Sequence, residues 1–168
     1  DKIVAIPTSN QFQWTMLNLG YVEIKGVDAV VQTSWLFGGK VGMNTRISYT
    51  YQKAQDRTDR QSPHYGSQIP YIPWHSGSAV VGLDYKGWGL SYSFIYTGER
   101  YESVANIPEN YAQPWYTHDM SLTKTFRIGR VGLRATAELN NIFNQQYEVV
   151  QCYPMPGTNF KIKLNVTI

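Results

Sequence analysis

Two stretches near the end of the chain decide the fold: RVGLRATAELN, residues 130–140, and FKIKLNVTI, residues 160–168. In the first, Val131, Leu133, Ala135, Ala137 and Leu139 point one way, and Gly132, Arg134, Thr136, Glu138 and Asn140 the other. In the second, Phe160, Ile162, Leu164, Val166 and Ile168 oppose Lys161, Lys163, Asn165 and Thr167. Period two sustained over nine residues or more means β-strands with one apolar and one polar face. Soluble and membrane sheets share that pattern. The question is whether the apolar face meets a protein core or lipid.

Outward from these stretches the pattern repeats. Residues 117–128 carry Met120, Leu122, Phe126 and Ile128 on one face, with Lys124 a misfit among them. Residues 88–97 group Trp88, Leu90, Tyr92, Phe94 and Tyr96, and residues 78–86 group Ala79, Val81, Leu83 and Tyr85. Residues 41–52 group Val41, Met43, Thr45, Ile47, Tyr49 and Tyr51. Residues 21–35 also alternate, but the phase shifts at Gly26, after which Val27, Ala29, Val31, Thr33 and Trp35 share a face. A glycine at a phase shift marks a β-bulge or a close backbone approach. Residues 1–20, broken by Pro7 and the polar stretch 8–13, read mostly as loop, with extended structure starting near Trp14 and Met16.

Seven strands result, and their connections alternate short and long. The long ones span residues 53–77, 98–116 and 141–159. An up-and-down antiparallel sheet then has its tight turns at one end and its long loops at the other, as outer-membrane barrels do. Trp35, Tyr85, Trp88 and Phe126 fall on the apolar face beside the short turns; Tyr49, Tyr51, Tyr96 and Phe160 fall on it beside the long loops. Two aromatic belts are what two lipid–water interfaces select. The opposite face carries Arg46, Asp84, Asp119, Arg127, Arg134, Glu138, Lys161 and Lys163, which suits a wet lumen better than a dry core. There Asp119 and Glu138 could pair with Arg127 or Arg134 across neighbouring strands. An odd count leaves two unpaired edges, which lipid does not tolerate. Either an eighth strand hides in residues 1–20, or the chain is part of a larger barrel.

Composition narrows the classes further. The 168 residues suit one domain, and a dispersed net charge of +3 does not indicate a nucleic-acid surface. No run of 18 apolar residues exists, which excludes a transmembrane helix but not a barrel. The single cysteine, Cys152, excludes an internal disulfide and a cysteine-based metal cluster. His64, His75 and His118 match no compact metal motif, and no metal, cofactor or catalytic set is expected. The chain starts at Asp1 with no visible signal peptide, so the natural start is expected to be missing.

The residues also carry a family resemblance. Asn141, Ile142, Phe143, Asn144 and Tyr147 resemble the "NLF-(D/N)-x-x-Y" signature of TonB-dependent outer-membrane receptors. Tyr153–Gly157, with Pro156 and Gly157, resembles the "P-G-R" lead into the closing strand, although Thr158 stands where arginine is usual. Gly26–Asp28 resembles the "G-(V/I)-E" strand opening, residues 69–75 the "lP-x-x-P-x-H" lead, and Gly98–Tyr101 the "G-x-R-Y" strand top. The closing strand usually ends on an aromatic residue. Here it ends on Ile168, so recognition by the barrel-assembly machinery is either altered or tolerant.

The resemblance implies an all-β, antiparallel up-and-down transmembrane barrel segment, about seven strands of a barrel of roughly 22, with the plug domain absent. It implies import of a scarce nutrient, a ferric siderophore, vitamin B12 or haem, with energy relayed by TonB. The partners implied are outer-membrane lipid, the receptor's own plug and remaining strands, the TonB complex, the assembly machinery and the small-molecule nutrient. Loop aromatics stack on ligands at low entropy cost, which singles out His64, Tyr65, Tyr71, Trp74, Tyr101, Tyr111, Trp115 and Tyr116 as ligand-contact candidates. Asn141, Phe143, Tyr147, Pro156 and Gly157 are read as structural. Two rival readings are a small eight-stranded outer-membrane barrel for adhesion or structure, and a soluble β-rich carbohydrate-binding module.

Overall fold

The computed structural model describes residues 3–7, 14–18 and 20–167. The strands are β1 (Ile3–Pro7), β2 (Trp14–Asn18), β3 (Val22–Phe37), β4 (Val41–Asp56), β5 (His75–Tyr85), β6 (Trp88–Thr97), β7 (Arg100–Tyr101), β8 (Tyr111–Ala112), β9 (Trp115–Ile128), β10 (Val131–Asn140), β11 (Glu148–Val150), β12 (Tyr153–Pro154) and β13 (Asn159–Thr167). Seven of them form one antiparallel sheet in the order β13-β10-β9-β6-β5-β4-β3. Each is hydrogen-bonded to its sequence neighbour among the long strands, which is the up-and-down meander expected from the alternating connections.

Within residues 1–20, Ile3–Pro7 is a strand where a loop was expected, whereas Trp14–Asn18 is extended as the sequence suggests. β1 and β2 pair with each other, Ile3 opposite Asn18 and Pro7 opposite Trp14, and form a sheet of their own. They add no eighth strand to the main sheet, whose edges among the described residues are β3 and β13. The place of Ile168 at the end of the closing strand lies outside the described residues.

The apolar face covers no core. Among the described residues the only buried hydrophobic ones are Ala54 and Ile69, whereas Val31 is 58% exposed, Ile162 74% and Phe160 79%. A soluble sandwich would bury this face against a second sheet. An uncovered apolar patch of this extent is a contact surface. Along β5 the face runs 11 residues from His75 to Tyr85. That is about 35 Å of strand, or about 25 Å of height at a tilt near 40°, the height of a barrel's apolar band.

The belts stand where the alternation puts them. Beside the tight turns, Trp35 meets Phe37 edge-on at 6.0 Å, and Tyr85 is paired with Trp88. Lys124 is no misfit in three dimensions. Its ammonium lies 4.5 Å from the Trp88 ring centroid and donates to the Lys86 carbonyl at 3.2 Å. A lysine near the end of an apolar face can thus keep its stem in the apolar layer and its charge at the boundary. At the other end, Tyr49 and Tyr51 flank His75, and Phe94, Tyr116 and Phe143 surround His118.

The polar face is a ladder of cross-strand bonds. Ser34 donates to Asn44, Thr50 to Asp28, and Ser48 shares a bond with Ser78. The expected carboxylate pairings with Arg127 and Arg134 are not made. Glu138 pairs instead with Lys163 at 2.5 Å, Asp119 accepts from the Asn141 amide, and Arg134 donates to Thr125. The diagonal lysine on β13 is within reach of Glu138.

Gly26 resolves as a close approach. The β3–β4 register runs without a shift from Val22↔Asp56 to Phe37↔Val41. A Cβ on Gly26 would overlap the Tyr51 carbonyl oxygen. What changes there is the side on which apolar residues lie. Above Gly26, Ala54 and Val22 pack with Ile69, Ile72 and Val104 beneath the loops.

Candidate functional site

The three long loops are tied into one cap at a single end of the sheet. The first returns onto β4, with Asp56 N donating to Ser67 O, Ile69 N to Ala54 O and Gln52 N to Trp74 O. The first and second loops join through Tyr71 N, which donates to Tyr101 O at 2.8 Å. A reciprocal pair adds to this: Gln68 N donates to Asn106 Oδ1 at 2.5 Å, and Asn106 Nδ2 returns a bond to Gln68 O at 3.1 Å. Short strands within the loops, β7 with β8 and β11 with β12, stiffen the second and third.

Arg100 joins the second loop to the third. It is 3% exposed, and its Nη2 donates to the carbonyls of Glu148 and Val149 at 2.7 and 3.3 Å. Its Nη1 is buried without a partner. Burial holds the guanidinium below its ordinary pKa, against the pull of Glu102 and Tyr71. Burial likewise raises the Tyr71 phenol.

A cleft of about 420 Å³ opens between the second and third loops, with Glu102, Tyr111, Gln113, Trp115, Gln146, Tyr147 and Glu148 in its wall. Its volume is in the range of small-molecule sites. Trp115 stacks on Tyr147 with centroids 4.4 Å apart, and Tyr111 meets Tyr101 edge-on and donates to Glu99 at 2.8 Å. Burial, and then the charge of Glu148, push the Glu102 carboxyl up. Two larger clefts, about 580 and 730 Å³, lie by the short turns, lined largely by polar-face residues such as Asp84, Ser121, Thr123 and Arg134.

The structure thus brings together Tyr71, Tyr101, Tyr111 and Trp115 of the sequence-derived set. Trp74 lies under the Lys53 ammonium at 5.1 Å, and Tyr65 under the Arg57 guanidinium at 5.0 Å. His64 is held within its own loop through Ser62 and Ser67. Tyr116 stands apart. It pairs with Tyr96 on the apolar face and touches Phe94 and His118, so it belongs to the belt.

The stretch 141–158 closes through Asn141. That residue is 4% exposed with φ 49°, a left-handed conformation that asparagine tolerates. Its amide donates to Asp119, its Nδ2 to Gln145 O and Pro156 O, and its Oδ1 accepts from Gln145 N. Thr158 Oγ1 donates to the Asn141 carbonyl, and Thr158 N to Asn144 Oδ1. Phe143 sits edge-on to His118 at 4.8 Å. Gly157 passes so close to Asn144 that a Cβ would overlap its side-chain oxygen.

Residues 1–142 match the family described as TonB dependent receptor-like, beta-barrel. The chain belongs to that family. Among solved structures it is similar to BauA, the ferric preacinetobactin receptor from Acinetobacter baumannii, with a TM-score of 0.59 and 10% sequence identity over 85% of this chain and 26% of that one. At that identity the likeness is one of fold, and this chain spans about a quarter of the length of that receptor. TonB-dependent receptor barrels are bacterial outer-membrane receptors, not an enzyme family. In this TonB-dependent receptor barrel, sequence reasoning missed Gln68, Asn106 and the meeting of Glu102 with Glu148. It had a signal for Arg100, the arginine of the "G-x-R-Y" match, but none for its partners.

Proposed function

We propose that this chain supplies the last seven strands or so of an outer-membrane receptor barrel of roughly 22 strands. The receptor imports a scarce nutrient, a ferric siderophore, vitamin B12 or haem, with energy relayed by TonB through the receptor's plug. The observation that carries this reading is the uncovered apolar face, belted with aromatics at both ends and topped at one end only by a tied, aromatic-lined cap. Both sheet edges need further strands before lipid can surround the sheet. The ligand contacts we assign are Tyr71, Tyr101, Tyr111 and Trp115, with His64, Tyr65 and Trp74 on the first loop. The closing strand is the part offered to the barrel-assembly machinery.

The test is the intact mass of the natural gene product, detected with an antibody against this segment in detergent-extracted outer membranes. A species several times larger than this chain is expected. A membrane species near 19 kDa would favour a small barrel instead. A soluble product of that size would remove the membrane reading.

A further inference from the structure

Above the belt at the loop end, the side of the sheet that is apolar below turns basic. The β3–β4 register pairs Val27 with Tyr51, then Lys25 with Lys53, then Glu23 with Gln55, and alternate pairs share a face. The lysine pair therefore sits one row above Tyr51 and its partner His75, about 7 Å further along the strands. Glu23 bonds Lys25 at 2.8 Å and Arg57 at 3.2 Å. Lys53 makes no ion pair among the described residues; its ammonium rests over Trp74. Glu23 thus serves Lys25 and Arg57, and among the described residues Lys53 is left without a carboxylate. Like charges directly opposite on a sheet destabilise it, and an anion held between them would relieve that cost.

Position selects the anion. The row beneath is the last of the exposed apolar band, with Val27 68% exposed. The row above it lies where hydrocarbon gives way to headgroups. Resting on the membrane reading above, we propose that Lys25 and Lys53, supported by Arg57, bind the phosphate of a net-anionic lipid headgroup in the leaflet that surrounds the loop end. Tyr49 and His75, bonded at 2.7 Å, lie next to the acyl chains just beneath. Each lysine beside an anionic headgroup contributes about fivefold in affinity.

The natural full-length receptor, purified in detergent, is titrated with phosphatidylglycerol or phosphatidylcholine, and retained lipid is read by native mass spectrometry. Phosphatidylglycerol is expected to bind more tightly, and K25Q/K53Q to lose roughly 25-fold in its affinity. K25R/K53R should keep the preference, as should K161Q/K163Q, which removes the same charge from the opposite face. Equal retention of both lipids, or a K25Q/K53Q protein that binds like the parent, would overturn the proposal. Displacement by inorganic phosphate would also overturn it, because the site would then be one for the free ion. A product that detergent does not extract from membranes would defeat the membrane reading itself, a result distinct from loss of lipid preference.

Discussion

The Trp115 indole lies face to face with the Tyr147 ring, with centroids 4.4 Å apart and planes 29° apart. Trp115 opens a membrane-length strand, whereas Tyr147 belongs to the last long loop, so the stack anchors the loop to the sheet. An aromatic pair of this kind contributes about 0.5–1.5 kcal/mol beyond the area it buries. In the natural full-length receptor, Tyr147→Ala is expected to open residues 141–158 to limited proteolysis, and Tyr147→Phe to leave them protected. Cleavage of the alanine variant at the parent's rate would count against the anchor.

Asn141→Ala should be more damaging than any aromatic truncation in the cap. It removes three side-chain hydrogen bonds from a buried site and leaves a left-handed backbone that alanine resists. A loss of about 2–4 kcal/mol follows from the unmet backbone partners and the strained conformation together. Asn141→Gly relieves only the backbone and should fall between alanine and the parent. Denaturant titration in detergent would rank the three, and a glycine variant as stable as the parent would show that the side-chain bonds contribute nothing.

Charge on the apolar face should cost according to height. Val81 lies midway along β5, while Lys124 lies beside the Trp88 belt with its ammonium at the Lys86 carbonyl. Val81→Lys is expected to cost about 2–4 kcal/mol, and Lys124→Leu to change stability by less than about 1 kcal/mol. Unfolding in lipid vesicles reads both. A Val81→Lys protein with unaltered stability would mean that this face does not meet hydrocarbon.

Acidity should tighten the cap. Burial and the Glu148 charge raise the Glu102 carboxyl, with Arg100 pulling the other way. A carboxyl whose pKa is raised on folding contributes stability that is fully present below its unfolded value, near 4.5, and is lost as pH rises through the folded value. Hydrogen exchange in residues 98–114 and 141–158, corrected for intrinsic rates, is therefore expected to quicken from mildly acidic to neutral pH. Glu102→Gln should keep exchange slow across that window. An identical pH response in the variant would place the effect on another group.

The strands were legible because period two is a local property. In RVGLRATAELN each residue's face follows from its neighbours alone, and β10 runs Val131–Asn140 as the alternation requires. Tight turns were equally local: Lys86 and Gly87 adopt φ 46° and 77°, the left-handed pair that a two-residue hairpin needs. Gly26 marked the right place, but only the paired strand showed that the cause is the Tyr51 carbonyl.

What the sequence determined by itself was the meander, its two faces, its belts and the end at which the loops gather. The tertiary structure decided which side chains meet. Arg100 reaches Glu148 across 48 residues, Gln68 reaches Asn106 across 38, and Glu138 takes Lys163 rather than an arginine. Alternation assigns a residue to a face through its own backbone, whereas a contact between loops depends on where two distant segments are carried by the strands between them. Lys124 shows the limit from the other side. Its letter contradicted its face until the Trp88 ring and the Lys86 carbonyl, both on another hairpin, gave the charge a way out.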